Sequence, residues 1–78
     1  MQLLGKNPQT GLRNNITRLN LQSAITNATR LYHDVYPKMA ETARDENLED
    51  IANWFDTLAK AERMEAKLYE EALKTLLD

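Results

Sequence analysis

Two glutamates in the second half of the chain have the residue type and spacing to do chemistry. Glu62 and Glu65 lie three positions apart in AKAERMEAKLY, residues 59–69. Residues three apart share a helix face, so both carboxylates can reach one ion or bridge two. Their neighbours on that face are apolar, where an unpaired carboxylate is costly. Three readings stay open: a metal site, acids held by hydrogen bonds, or acids that reach solvent at the edge of the apolar row.

Composition excludes several classes of function. The chain has 78 residues, no cysteine and a formal net charge of -2. A chain of this length buries only roughly 60% of its unfolded surface, which favours association with a partner. The lack of cysteine excludes disulfides, zinc ribbons, thiol catalysis and iron–sulfur centres. The charge balance argues against a nucleic-acid partner. Neither a membrane span nor a signal peptide is visible, so we expect a cytoplasmic protein.

The spacing of apolar residues predicts a long first helix. They recur at alternating intervals of four and three, the period of an amphipathic helix. The row comprises Leu21, Ile25, Ala28, Tyr32, Val35 and Met39. Both glycines and Pro8 precede it, so we interpret residues 1–16 as an extended N-terminal arm. Pro37 lacks an amide proton and predicts a kink or a local loosening inside the helix.

A short polar turn and a second helix follow. Asn47 tolerates the left-handed backbone that ends a helix, and the connection of two or three residues makes the two helices antiparallel neighbours. The apolar row of the second helix includes both glutamates: Leu48, Ile51, Phe55, Leu58, Glu62, Glu65, Tyr69, Ala72 and Leu76. One hairpin cannot bury both rows. We therefore predict an all-α antiparallel hairpin over residues 17–78 that forms a four-helix bundle by dimerisation, or docks onto a larger helical protein.

Three stretches carry a family resemblance: NLQSAI, YPKMAETARDEN and IANWFDTLAKAE. Over residues 17–73 the sequence resembles the ferritin-like diiron domain of the rubrerythrin family, and its second helical pair most closely. The resemblance implies a ferritin-like hairpin. It also implies iron ligands at the positions of Ala28, Leu31, Glu62 and Glu65. Alanine and leucine cannot ligate, Glu65 stands where the family has histidine, and no cysteine is present for a rubredoxin-like iron centre.

Two functions compete on these grounds. In the first, the chain is a degenerate rubrerythrin-like module without a cofactor, acting as a non-catalytic assembly or accessory subunit. In the second, it is a metal-binding oxidoreductase of diiron or dimanganese type. Its site, with iron or manganese, forms only across a dimer, from Glu62 and Glu65 of both chains.

Other residues have narrower expected roles. Tyr32 and Tyr69 fall on inward positions, and their hydroxyls can donate hydrogen bonds to a carboxylate. His33, the sole histidine, lies beside the inward row, so we expect it at the surface. A third hypothesis is that the arm, residues 1–16, docks to a larger partner.

Overall fold

The chain folds as two long antiparallel helices. A computed structural model describes the backbone of residues 8–77 and the side chains from residue 15 onward. The elements are helix α1 (Pro8–Arg30), a π-helical turn (Leu31–Val35), helix α2 (Tyr36–Asp45) and helix α3 (Glu49–Leu77). Helix α3 runs back along α1 and α2, giving a rod of 65 × 14 × 13 Å. The predicted all-α hairpin is confirmed. None of the described helices is long and apolar enough to cross a membrane.

The predicted extended arm is wrong for residues 8–16, which are helical. Proline is well tolerated in the first turn of a helix, where its missing amide proton has no partner to lose. Pro8 therefore begins α1 instead of preceding it. A single glycine such as Gly11 lowers helix stability by about 1 kcal/mol without ending the helix. Residues 1–7 lie outside the described part of the chain.

The loosening expected at Pro37 takes the form of the π-helical turn just before it. The amide of Tyr36 donates to the carbonyl of Leu31, five residues back instead of four. Proline cannot donate, and its ring crowds the carbonyl four residues earlier, so a wider turn relieves the conflict. The extra residue rotates everything downstream by about 100°. As a result Ala40 is buried and Met39, predicted to face inward, is 42% exposed.

Asn47 ends the first helical segment as predicted. Its φ is 63°, the left-handed region that favours glycine and asparagine. The amide of Leu48 donates to the carbonyl of Ala43 at 2.8 Å, and the amide of Asn47 donates to that of Arg44 at 3.0 Å. This is the Schellman arrangement, in which carbonyls left free at a helix end are satisfied by the chain that leaves it. The turn is therefore compact and reverses the chain within three residues.

Arg44 links the two helices beside the turn. Its guanidinium donates to Glu49 at 3.1 Å, to Asn53 at 3.2 Å and to Asp56 at 2.7 Å. The hydrogen bonds to Asp56 and Glu49 raise the pKa of Arg44 above its ordinary value. A planar donor group that spans three acceptors on one helix fixes the register of that helix. The start of α3 is thereby held against the end of α2.

The contact between the helices is made of alanines. The buried residues of the described part are Ala28, Ala40, Ala43, Ala52 and Ala66, and no larger side chain is fully buried. Small side chains let two helix backbones approach closely, but each contributes little apolar area. The larger apolar side chains therefore lie at the flanks of this alanine seam, half-buried or exposed.

The turn gives a test of the backbone argument. Replacing Asn47 with alanine should lower the free energy of unfolding by about 1 kcal/mol, since a left-handed backbone disfavours a Cβ without a compensating polar group. Asn47→Gly should leave stability unchanged or raise it. Denaturant unfolding followed by circular dichroism, at one chain concentration, measures both. Equal stability of the alanine and glycine variants would contradict a left-handed residue at this position.

Candidate functional site

Helix α3 carries both candidate glutamates, but they differ in exposure. Glu62 is half-buried, whereas Glu65 is exposed. Within the hairpin only Glu62 is partly covered, and it stays a prediction that both acids point at whatever α3 packs on in an assembly. Ala52 and Ala66 are buried in the alanine seam. Each is the sequence neighbour of a residue in the predicted row, so the surface of α3 that contacts the other helix is displaced by about one residue from that row. The predicted apolar row of α3 is wide. One of its edges contacts the first helical segment, and the other edge remains open.

Tyr69 makes a hydrogen bond to one of the two acids. Its hydroxyl donates to Oε1 of Glu65 at 2.8 Å, one helical turn away, as the sequence suggested for an inward tyrosine. The pKa of Tyr69 is raised, first by this hydrogen bond, then by desolvation and by the negative charges of Glu65 and Glu62. Glu65 is thus held in one position by a neutral donor while Glu62 lies close enough to act on the same hydroxyl.

The first helical segment offers little polar chemistry opposite these acids. Ala28 is buried in the seam, and Leu31 and Tyr32 are half-buried. His33 is exposed, as predicted, and its Nδ1 lies 2.9 Å from a carboxylate oxygen of Asp34, its neighbour in sequence. In the described residues no group of three or more histidines, cysteines, aspartates or glutamates could hold one metal ion. The donors that one chain supplies in its described residues therefore do not fit a diiron centre.

An apolar groove lies on the open side of the hairpin, between α2 and α3. It has a volume of about 540 Å³ and begins beside the turn. Its apolar walls are Val35, Met39, Ala43, Leu48, Ile51 and Phe55. Lys38 and Glu46 are the charged residues that line it. Phe55 stacks on Tyr36, with ring centroids 6.2 Å apart, and so forms a fixed floor.

The stripe of α3 residues that lines the groove continues along the helix beyond the groove. Leu58, Glu62, Tyr69 and Leu76 are half-buried on the same side of α3. Residues spaced by three and four along a helix form a single stripe, so the groove and the acids belong to one face. We call this surface the open face, comprising the groove together with those four residues. It is apolar near the turn and carries the carboxylates near its middle.

Comparison with known proteins places the hairpin in a family. A sequence model of the family described as Rubrerythrin matches residues 6–73, which is most of the chain. The chain belongs to the rubrerythrin family. No curated protein matches it. The family assignment agrees with the resemblance seen in the sequence, and the ferritin-like helical hairpin follows from it.

Sequence reasoning missed two features of this rubrerythrin-family hairpin. Arg44 was visible as one residue of the turn motif, but its three acceptors depend on the tertiary approach of α3. The groove was missed because the π-helical turn moves Met39 to its wall. A proline preceded by a long helical pattern was the available signal for that shift.

The bond between Tyr69 and Glu65 predicts a change in titration. Because the folded-state pKa of Tyr69 is raised, its contribution to stability is complete below the unfolded pKa near 10 and is lost as pH rises through the folded value. Glu65→Gln should lower the pKa of Tyr69, since the acceptor loses its charge. Absorbance near 295 nm, in a Tyr32→Phe and Tyr36→Phe background, measures it.

Glu70→Gln, an exposed acid next to Tyr69 in sequence, is the matched control and should leave the titration nearly unchanged. The same tyrosine pKa with and without the Glu65 carboxylate would contradict the hydrogen bond.

Proposed function

We propose that this chain is a non-catalytic rubrerythrin-family module that associates with a second copy to complete a four-helix bundle, and so acts as an assembly or accessory subunit. The open face is the observation that carries the proposal. Its groove is built from apolar side chains, and Met39, Leu48 and Ile51 on it are each more than two-fifths exposed. Contiguous apolar surface of this kind is typical of an interface.

The alanine seam supports the same conclusion from the energetic side. Burying a large aliphatic or aromatic side chain contributes about 1.5–3 kcal/mol, and alanine far less. With only alanines fully buried in the described residues, the hairpin gains little from its own contact. A second hairpin on the open face covers Phe55, Leu58 and Leu76. Association of two helical hairpins in this way gives a four-helix bundle.

The proposed lack of catalysis rests on the ligand positions. Of the four positions that the resemblance assigns to iron, Ala28 is buried in the seam and Leu31 is half-buried on the same helix. Neither side chain has a donor atom. Glu62 keeps the ligand type of the family and Glu65 replaces an imidazole. Two carboxylates on one helix leave a single chain short of the donors that a diiron centre needs.

A second candidate function is favoured by the bond between Tyr69 and Glu65. It fixes one carboxylate near Glu62, on or beside the open face. In a dimer across that face, two copies of each acid come together, and four carboxylates suit a hard cation such as Mn²⁺ or Mg²⁺. This alternative is a metal-binding protein or oxidoreductase whose site exists only in the dimer.

Self-association is tested by a charge placed on the open face. Ile51→Glu should weaken dimerisation by at least about tenfold, because it removes an apolar contact and adds a carboxylate to an apolar groove. Sedimentation equilibrium over a range of chain concentrations measures the association constant. Met64→Glu is the matched control: Met64 lies on another side of α3 and is 70% exposed. Equal effects of the two variants would contradict an interface at the groove.

Metal content separates the two functions. For an accessory subunit we expect protein purified at native metal levels to contain no stoichiometric iron or manganese, and Glu62→Ala to keep or raise the unfolding midpoint, since a half-buried carboxylate is removed. A metal site should instead lose both ion and stability in that variant. Elemental analysis and thermal unfolding give the two readouts, with Glu70→Ala as an exposed control. One or two ions per dimer, lost in Glu62→Ala, would overturn the accessory role.

A further inference from the structure

The groove between α2 and α3 has walls that suit a third helix. Its volume is about 540 Å³, and each of the two helical segments supplies one apolar wall. The wall on the first segment is a row with a spacing of four residues, and the wall on α3 begins at the turn. The members are Val35, Met39 and Ala43 on one side and Leu48, Ile51 and Phe55 on the other. A channel between two helices accepts the apolar stripe of an amphipathic helix.

A polar row follows the edge of the groove on α2. Lys38, Thr42 and Glu46 line the groove and are four residues apart, so they lie along one side of the helix. All three are exposed. An amphipathic partner can therefore place its apolar stripe between the walls while its charged side chains reach this row.

Acids outnumber bases around the groove. Residues 38–56 contain two bases, Lys38 and Arg44, and six acids: Glu41, Asp45, Glu46, Glu49, Asp50 and Asp56. Arg44 is already paired with Glu49 and Asp56. The four other acids are exposed and take part in none of the ion pairs of the described residues. Their negative charge remains available to a cationic partner.

The excess of acid is confined to this end of the rod. Residues 57–77 of α3 balance four bases, Lys60, Arg63, Lys67 and Lys74, with four acids, Glu62, Glu65, Glu70 and Glu71. Residues 15–30 of α1 contain two arginines and no acid. A basic partner is therefore attracted to the surroundings of the groove more than to the rest of the described surface.

Trp54 adds an aromatic surface beside the groove. It is 59% exposed, and its ring centroid lies 5.5 Å from that of Phe55, which forms the floor. Tryptophan is enriched among the residues that anchor interfaces, and its ring face attracts the side chains of lysine and arginine. A basic helix in the groove gains this contact, whereas an acidic helix does not.

We propose that the groove docks a basic amphipathic helix of another protein, with the apolar stripe of that helix against Met39, Ile51 and Phe55 and its lysines or arginines at the acidic rim. The inference rests on the proposed accessory role and names the partner by its chemistry. Opposite charges across the rim accelerate the encounter and disfavour acidic helices. The partner helix and a second copy of the chain compete for the groove, so saturating the groove with the helix dissociates the dimer by mass action.

A designed peptide serves as the probe. A helix of leucine and lysine, about 18 residues or five turns long, has leucines at intervals of three and four and carries both the stripe and the charge. Exchanging its lysines for glutamate reverses the charge, and scrambling its order removes the stripe. Trp54 is the sole tryptophan of the chain, so its emission reports binding beside the groove. By calorimetric titration, the leucine–lysine peptide should bind at least about tenfold more tightly than either control peptide.

Charge reversal tests the acidic rim. Glu46→Lys should weaken binding of the leucine–lysine peptide about tenfold, because it places a cation on the groove. Glu46 caps the end of α2, where a cation is favourable, so the variant should fold. Glu70→Lys makes the same change of charge at an exposed position in the balanced part of α3 and should have a much smaller effect. Equal weakening by the two variants would overturn the inference, since the peptide would then respond to net charge alone.

An uncharged pair of variants tests the apolar wall. Met39→Gln replaces an apolar side chain of the groove without changing the charge and should weaken peptide binding at least about threefold. Met64→Gln makes the same change at a position that is 70% exposed on another side of α3, and should leave binding unchanged. Identical affinities of these two variants would contradict docking in the groove.

Sedimentation of the chain with and without the peptide separates this inference from the proposed self-association. A dimer that the peptide converts to a one-to-one complex supports both, and peptide binding to a chain that is a monomer by itself supports the docking site alone. A dimer that excess peptide neither binds nor dissociates overturns the inference, leaves self-association standing and assigns the groove to the second copy. Binding that leaves the dimer intact also overturns the inference, and a monomer that binds no peptide overturns both.

Discussion

The close approach of two helices through an alanine seam is the constraint on which the rest of the structure depends. Ala28, Ala40, Ala43, Ala52 and Ala66 let the backbones come together, but they leave Phe55, Leu58 and Leu76 at the edge of the contact. The turn and Arg44 set the register of the two helices, while the fully buried apolar area of the described residues comes from small side chains. The same arrangement therefore limits the apolar area buried inside the hairpin and leaves the larger apolar side chains at its surface.

Much of this fold was accessible from the sequence. The spacing of the apolar residues and the single polar turn predict two antiparallel helices. Asn47 predicts the left-handed backbone conformation that ends the first helical segment. The arm was mispredicted because Pro8 was interpreted as a breaker, although a proline at the start of a helix is compatible with it. Whether a proline breaks a helix therefore depends on its position, since it disrupts the interior of a helix and is tolerated in the first turn.

The candidate site was less predictable. The row that holds Glu62 and Glu65 is wide, and periodicity alone does not tell which edge meets the hairpin partner and which stays open. The structure assigns Ala66 to the seam and exposes Glu65, which Tyr69 then holds. The role of Arg44 depends on acceptors up to twelve residues away in sequence, a separation that local patterns do not encode.

The π-helical turn has a consequence for how such chains are aligned and altered. Because it contains one residue more than a regular helical turn, the faces of α1 and α2 are set independently on either side of it. Losing one residue from Leu31–Val35 would restore a regular helix and rotate all of α1 relative to α2. Residue correspondences between relatives are therefore best counted outward from Pro37 in each direction. Single-residue insertions and deletions at this turn act as changes of helical phase, not of helix length.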